Sequence, residues 1–144
     1  MLNPEKIKVL VVEDNPNDVT IIKRAMRKSE VKCELSFARD GEEALNFLYR
    51  QGEFEDAPRP DLILLDLRLP KIDGLEVLAK IKDDNRLRRI PVIVLTISTS
   101  QEDMVKAYDS GAASYMTKPV DSKDFERLIQ TVQDYWRVAR TPPE

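Results

Sequence analysis

The sequence contains no histidine and only one cysteine, Cys33. The missing histidine excludes a histidine general base, a phosphohistidine carrier and a metal site built on imidazole. A single cysteine cannot form an internal disulfide, which favours a reducing compartment. Any chemistry in this chain must therefore rest on carboxylates, hydroxyl groups and lysine.

Long hydrophobic runs and a strong excess of one charge are also missing. No apolar stretch is long enough to span a bilayer, and the first residues do not form a secretory signal. The net charge of −3 gives no reason to expect nucleic acid or an anionic membrane as a partner. Hydrophobic residues make up 42% and charged residues 34%, as in ordinary globular proteins. We expect a cytoplasmic protein with a single domain over 1–144, a core over about 7–138 and no output domain.

Short apolar runs alternate with longer amphipathic segments along the chain. The apolar runs are predicted strands, at residues 8–12, 34–38, 62–65, 91–96 and 114–116. The amphipathic segments are predicted helices, at residues 17–28, 42–49, 75–82, 102–110 and 121–139. This alternation predicts a doubly wound α/β sheet, in which the functional crevice lies at the carboxyl ends of the strands.

Polar side chains stand at the ends of the predicted strands. Glu13 and Asp14 follow the first strand, Asp66 follows the third, Thr96 ends the fourth and Lys118 follows the fifth. Two carboxylates roughly 5 Å apart repel by about 3 kcal/mol at an effective dielectric near 20, so this edge needs a divalent cation or a raised pKa. Because the ligands are oxygen without thiolate or imidazole, Mg²⁺ or Mn²⁺ is the predicted ion.

The same set of side chains suits phosphoryl transfer. The carboxylate of Asp66 can act as a nucleophile and become an aspartyl phosphate. Lys118 supplies positive charge to an incoming phosphoryl group, and the hydroxyl of Thr96 is placed to donate to one of its oxygens. Phosphoryl transfer needs mainly alignment and charge neutralisation, which these residues provide without a separate base.

The order of the motifs along the chain resembles the bacterial receiver domain of response regulators. The residues that carry the resemblance are Glu13-Asp14, Asp40 to Leu45, Leu65 to Pro70 with Asp73-Gly74, Leu95-Thr96, and Ser114 to Pro119. The resemblance implies a flavodoxin-like α/β fold, with a five-stranded parallel sheet of order 2-1-3-4-5 flanked by five helices. It also implies a phosphorelay signalling protein, which catalyses only its own phosphorylation and slow autodephosphorylation.

The resemblance further implies how the site works. A partner sensor histidine kinase would transfer a phosphoryl group from phosphohistidine to Asp66, and Lys118 would pair with that group. Mg²⁺ would be held by Asp14, Asp66 and the main-chain carbonyl of Arg68, with Glu13 acting through water.

The resemblance also implies a switch that a downstream protein target reads. Thr96 would shift to bond the phosphoryl group, Tyr115 would swing inward, and the surface of helix 4, strand 5 and helix 5 would change. Three residues depart from the usual family pattern. Glu13 replaces a common aspartate, Arg68 places a cation beside the site where it can shield the site or steer phosphodonors, and the bulk of Ile97 is expected to hinder the inward position of Tyr115.

Some features resemble a narrower group, the stand-alone regulators that partner phytochrome-type sensor kinases. They are the loop enlarged by residues 53–59, the lack of an output domain and the long last helix. On that helix Phe125, Leu128, Ile129, Val132 and Trp136 form the predicted core stripe. Tyr135 lies off the stripe and is the predicted contact of a homodimer.

The same residues also bear on three other functions. An aspartyl-phosphate phosphatase of the haloacid-dehalogenase type would need a second aspartate where Arg68 stands, and arginine cannot give up a proton at useful pH. A flavodoxin-type FMN carrier would meet repulsion from Glu13 and Asp14 after the first strand. A receiver-like scaffold that is never phosphorylated stays open as an alternative, although the set of site residues is intact.

Overall fold

The sheet forms from the five apolar runs, and each run is short because a loop with polar residues ends it. The computed structural model describes residues 6–28 and 32–138. The strands are β1 (Ile7–Val12), β2 (Cys33–Ala38), β3 (Leu62–Leu65), β4 (Val92–Thr96) and β5 (Ser114–Thr117). The helices are α1 (Pro16–Lys28), α2 (Gly41–Leu48), α3 (Gly74–Asp83), α4 (Gln101–Asp109) and α5 (Ser122–Val138). Predicted and observed ends agree to within one or two residues, the usual uncertainty of helix and strand ends.

All five strands are parallel, and their order across the sheet is β2-β1-β3-β4-β5. The predicted fold class and strand order are therefore confirmed. The register pairs Val12 with Leu65 and Leu65 with Val94, so the carboxyl ends of β1, β3 and β4 lie side by side. The residues that follow these strands are consequently neighbours in space.

The strands alternate their side chains between two apolar layers. Leu10 and Val12 of β1 pack with the buried residues of α2, α3 and α4, whereas Val9 and Val11 pack with those of α1 and α5. Because both faces of the sheet are covered, the central strands are continuous apolar runs and show no polar alternation.

The long helix α5 covers the apolar layer that contains Val9 and Val11. Phe125, Ile129 and Val132 are buried, and Leu128 and Trp136 pack partly buried against the same layer, as the sequence stripe predicts. None of the helices in the described ranges is both long and apolar enough to cross a bilayer.

The loop before β3 packs partly against the core through Phe54 and Ala57. A 3₁₀ turn, Gly52–Phe54, brings the ring of Phe54 to 5.5 Å from the ring of Phe47, between ring centroids. Pro60 at the end of the loop is buried. The enlarged loop thus adds apolar cover to the layer beside α2.

Candidate functional site

Three carboxylates meet at the carboxyl edge of the sheet. Each of Glu13, Asp14 and Asp66 has a carboxylate oxygen within 4.8 Å of one in each of the others. The backbone fixes two of them, because the N–H of Glu13 donates to Ala38 and the N–H of Asp66 donates to Val12. Glu13 and Asp66 are buried, while Asp14 is exposed at the mouth of the cluster. The structure thus brings together the three acids that the sequence placed at one edge.

Lys118 lies among these acids. Its side chain is only 5% exposed, and its Nζ donates to Glu13, to Asp18 at 2.9 Å and to Asp66 at 3.1 Å. The N–H of Lys118 donates to the carbonyl of Thr96, which fixes the chain just after β5. A buried ammonium is stable only when several hydrogen-bonded partners surround it, and this lysine has three.

The buried groups have altered proton affinities. Burial raises the pKa of Glu13 to about 7, and the nearby negative charge of Asp66 adds to the effect, although Lys118 opposes it. Burial works against the charge of Lys118, but hydrogen bonds to Glu13 and Asp18 hold the pKa of its ammonium above the ordinary value. The lysine therefore stays charged, and the cluster still carries more negative charge than one cation balances.

Asp18 is a further residue of the site and was not predicted from the sequence. This residue lies in the first turn of α1, where an acid is common because it interacts favourably with the positive end of the helix. One signal was available in the sequence. Because α1 begins directly after Glu13 and Asp14, its first turn stays at the same edge of the sheet, and an acid there can reach Lys118.

Thr96 and Tyr115 are joined through the loop that follows β4. Thr96 is fully buried, and its hydroxyl oxygen accepts from the N–H of Ser98 at 3.3 Å. The hydroxyl of half-buried Tyr115 donates to the carbonyl of Ser98 at 2.9 Å. The side chain of Ile97 is 70% exposed, so it points away from the core. Tyr115 thus bonds the loop while the side chain of Ile97 faces solvent, and the hindrance of Tyr115 by Ile97 stays a prediction.

Arg68 contacts the site with its backbone and another element with its side chain. Its N–H donates to Asp66 Oδ1 at 3.2 Å. Its guanidinium donates to Asp103 Oδ2 on α4 at 2.9 Å. In this structure the cation is therefore bound to α4 instead of covering the acids.

Gly74 lets the start of α3 pack against the backbone of Asp66. A Cβ at this residue would lie 2.4 Å from the carbonyl oxygen of Asp66 and 2.5 Å from Cα of Leu67. The N–H of Gly74 donates to the carbonyl of Leu67 at 3.0 Å. The first turn of α3 can pack directly under the backbone of Asp66 only because this residue has no side chain.

The donor set fits a hard divalent cation. The three clustered acids offer carboxylate oxygens and no sulfur or imidazole nitrogen, which is the chemistry that Mg²⁺ and Mn²⁺ prefer. The excess of negative charge around Lys118 is a second reason why a cation is stabilised there.

Tyr135 lies far along α5. Its side chain is 62% exposed, and its ring lies 6.1 Å from that of Trp136, between ring centroids. The structure therefore places the predicted dimer contact on the surface.

This chain is similar in sequence and in fold to several known proteins. The family model of the response regulator receiver domain matches residues 9–132. The response regulator Rcp1 of Synechocystis sp. is 43% identical over 141 residues, which cover 98% of this chain and 95% of Rcp1. The crystal structure of the phosphorylated cyanobacterial phytochrome response regulator RcpA has a TM-score of 0.93 at 42% identity, covering 96% of this chain and 99% of RcpA. The Mn²⁺-bound form of Rcp1 has a TM-score of 0.91 at 42% identity, covering 94% of this chain and 99% of that chain.

Proposed function

This chain belongs to the response regulator receiver domain family, and we propose that it accepts a phosphoryl group on Asp66. It is a phosphoacceptor of two-component signalling, a signalling protein and not a conventional enzyme. One observation carries the proposal. Three clustered carboxylates and a buried lysine meet at the edge of the sheet where ligands of such folds bind.

Asp66 is the proposed acceptor. One of its carboxylate oxygens forms a bond to phosphorus while the bond from phosphorus to the imidazole nitrogen of the donor phosphohistidine breaks, and the electron pair of that bond stays on the imidazole. Lys118 lies 3.1 Å from Asp66 Oδ2, so it can stabilise the negative charge of the transferred group. Thr96 is the proposed hydroxyl donor to that group.

Magnesium is the proposed cofactor. Asp14, Asp66 and the carbonyl of Arg68 would hold it, with Glu13 acting through water. When bound, the ion supplies positive charge that offsets both the crowded acids and the incoming phosphoryl group. The Mn²⁺-bound form of the similar protein Rcp1 supports this assignment.

The proposed output is a change on the surface of α4, β5 and α5. The new dianion pulls in the hydroxyl of Thr96, and the loop through Ser98 connects Thr96 to Tyr115. A downstream protein target would read this surface.

We propose that the donor is a sensor histidine kinase of the phytochrome type. The similarity to the cyanobacterial phytochrome response regulator RcpA supports this partner. The free Cys33 fits the predicted cytoplasmic location, where thiols stay reduced. The single-domain organisation without an output domain stays a prediction of the sequence.

Labelling with a small phosphodonor tests the proposed function. We expect acetyl phosphate with Mg²⁺ to add about 80 Da, the mass of one phosphoryl group, and EDTA to prevent it. Intact-mass spectrometry over time measures both. The Asp14→Asn variant is expected to need more Mg²⁺ for the same rate, whereas Asp56→Asn, an exposed aspartate in the loop before β3, serves as the matched control. No added mass in the wild type contradicts the function, and equal labelling in EDTA contradicts the metal.

The exposed end of α5 gives a separate prediction. We propose that Tyr135 contributes to a homodimer, because a large aromatic side chain left on the surface is typical of protein interfaces. Tyr135→Ala is expected to shift the protein from dimer to monomer in size-exclusion chromatography with light scattering. A wild type that is monomeric at all concentrations would remove Tyr135 from this role.

A further inference from the structure

We infer that Asp103, in the first turn of α4, is a positioning residue that holds the guanidinium of Arg68 away from the phosphoacceptor until Asp66 is phosphorylated. This inference rests on the proposed phosphorylation of Asp66. It assigns a role to an ion pair that links the loop after β3 to α4. In this ion pair the guanidinium of Arg68 is bound outside the acidic pocket.

The contacts of Arg68 place it between two anions. Its backbone N–H donates to Asp66 Oδ1 at 3.2 Å, while its side chain donates to Asp103 Oδ2 at 2.9 Å. Because the backbone is already in contact with the acceptor, the long side chain can turn to either anion. In this structure it lies on Asp103.

The ion pair is weak enough to be exchanged. The side chain of Arg68 is 63% exposed and that of Asp103 is 19% exposed, and pairs that face solvent stabilise little. A phosphoryl group on Asp66 carries up to about two negative charges at pH 7 and several acceptor oxygens, so it attracts a guanidinium more strongly than one carboxylate does. Phosphorylation therefore favours the transfer of Arg68 from α4 to the acceptor.

Asp103 keeps another partner when Arg68 leaves. The hydroxyl of Ser98 donates to the same oxygen, Asp103 Oδ2, at 2.6 Å. Ser98 is also the residue that contacts Thr96 and Tyr115. Release of Arg68 thus frees the first turn of α4 and the loop through Ser98 from the loop after β3. The exchange couples the acceptor to the surface proposed as the output.

Removal of the carboxylate charge tests this role. Asp103→Asn leaves the guanidinium of Arg68 free for the incoming anion, so we expect labelling by acetyl phosphate to become about two- to fivefold faster. Asp109→Asn removes an exposed carboxylate from the last turn of the same helix and is expected to label at the wild-type rate. Asp103→Glu restores the charge and is expected to return the rate toward the wild type.

A double variant distinguishes positioning from a merely structural effect. In the Arg68→Gln background, Asp103→Asn is expected to leave the labelling rate unchanged, because the side chain that it positions is gone. An equal acceleration in both backgrounds would overturn the inference. So would labelling of Asp103→Asn at the wild-type rate, an outcome that leaves phosphorylation of Asp66 standing. A wild type without added mass would remove both the proposed function and this role.

A second variant tests the same inference if Asp103→Asn does not fold. The Arg68→Gln variant breaks the same ion pair without a change in α4. Its unphosphorylated form is expected to show NMR amide resonances of Ser98 and Asp103 shifted toward those of phosphorylated wild type. Resonances that stay at the unphosphorylated positions would contradict the role of the pair.

Discussion

Replacing Asp66 by asparagine is expected to lower labelling by acetyl phosphate at least about a hundredfold, because the amide cannot act as the nucleophile. The change keeps the size of the side chain and removes one charge from the acidic cluster. Intact-mass spectrometry of the two proteins under identical conditions gives the result. The same variant is expected to accept no phosphoryl group from a partner kinase.

Asp73→Asn is the matched control for this experiment. Asp73 is an exposed aspartate at the start of α3, and its side chain makes no cap hydrogen bond to the helix. We expect it to label like the wild type. Equal labelling of Asp66→Asn and the wild type would assign the acceptor to a different side chain.

Replacing Lys118 by methionine is expected to destabilise the metal-free protein by about 3 kcal/mol. Methionine has a similar length but no charge, so Glu13 and Asp66 would remain buried without their cation. Added Mg²⁺ is expected to restore part of the lost stability, because the ion offsets the same negative charge. Urea unfolding followed by circular dichroism, with EDTA and with Mg²⁺, measures both effects.

The same substitution on the surface provides the comparison. Lys106 on α4 pairs with Glu102 at 2.8 Å, and both side chains are more than half exposed. Lys106→Met is expected to leave the free energy of unfolding close to that of the wild type, with or without Mg²⁺, because solvent screens this ion pair. A Lys118→Met protein as stable as Lys106→Met in EDTA would contradict the view that the buried lysine balances the acids.

The parts of the fold that depend on local pattern could be predicted from the sequence. The run Leu62–Leu65 is apolar at every position, which identifies a strand covered on both faces. The strand order followed from the family resemblance, and the residues after β1, β3 and β5 then had to meet at one edge. The acidic cluster was therefore predictable before any distance was known.

The contacts that depend on the rotation of a helix could not be predicted. Whether Asp18 reaches Lys118 or solvent is set by how α1 is turned against the sheet, and apolar periodicity does not fix the direction of a polar side chain closely enough. Arg68 and Asp103 lie on separate elements, and either could have been fully solvated. Surface side chains leave several rotamers open, so the sequence indicated a cation near the site but not its partner.

The position of Lys118 also restricts when the pocket can form during protein synthesis. Its bonds to Glu13, Asp18 and Asp66 join residues 105, 100 and 52 positions apart in the chain. A nascent chain that has left the ribosome only as far as β4 contains the acids but not the ammonium that balances them. The early strands are therefore expected to stay loosely associated, and the domain to close only when its last strand and helix emerge.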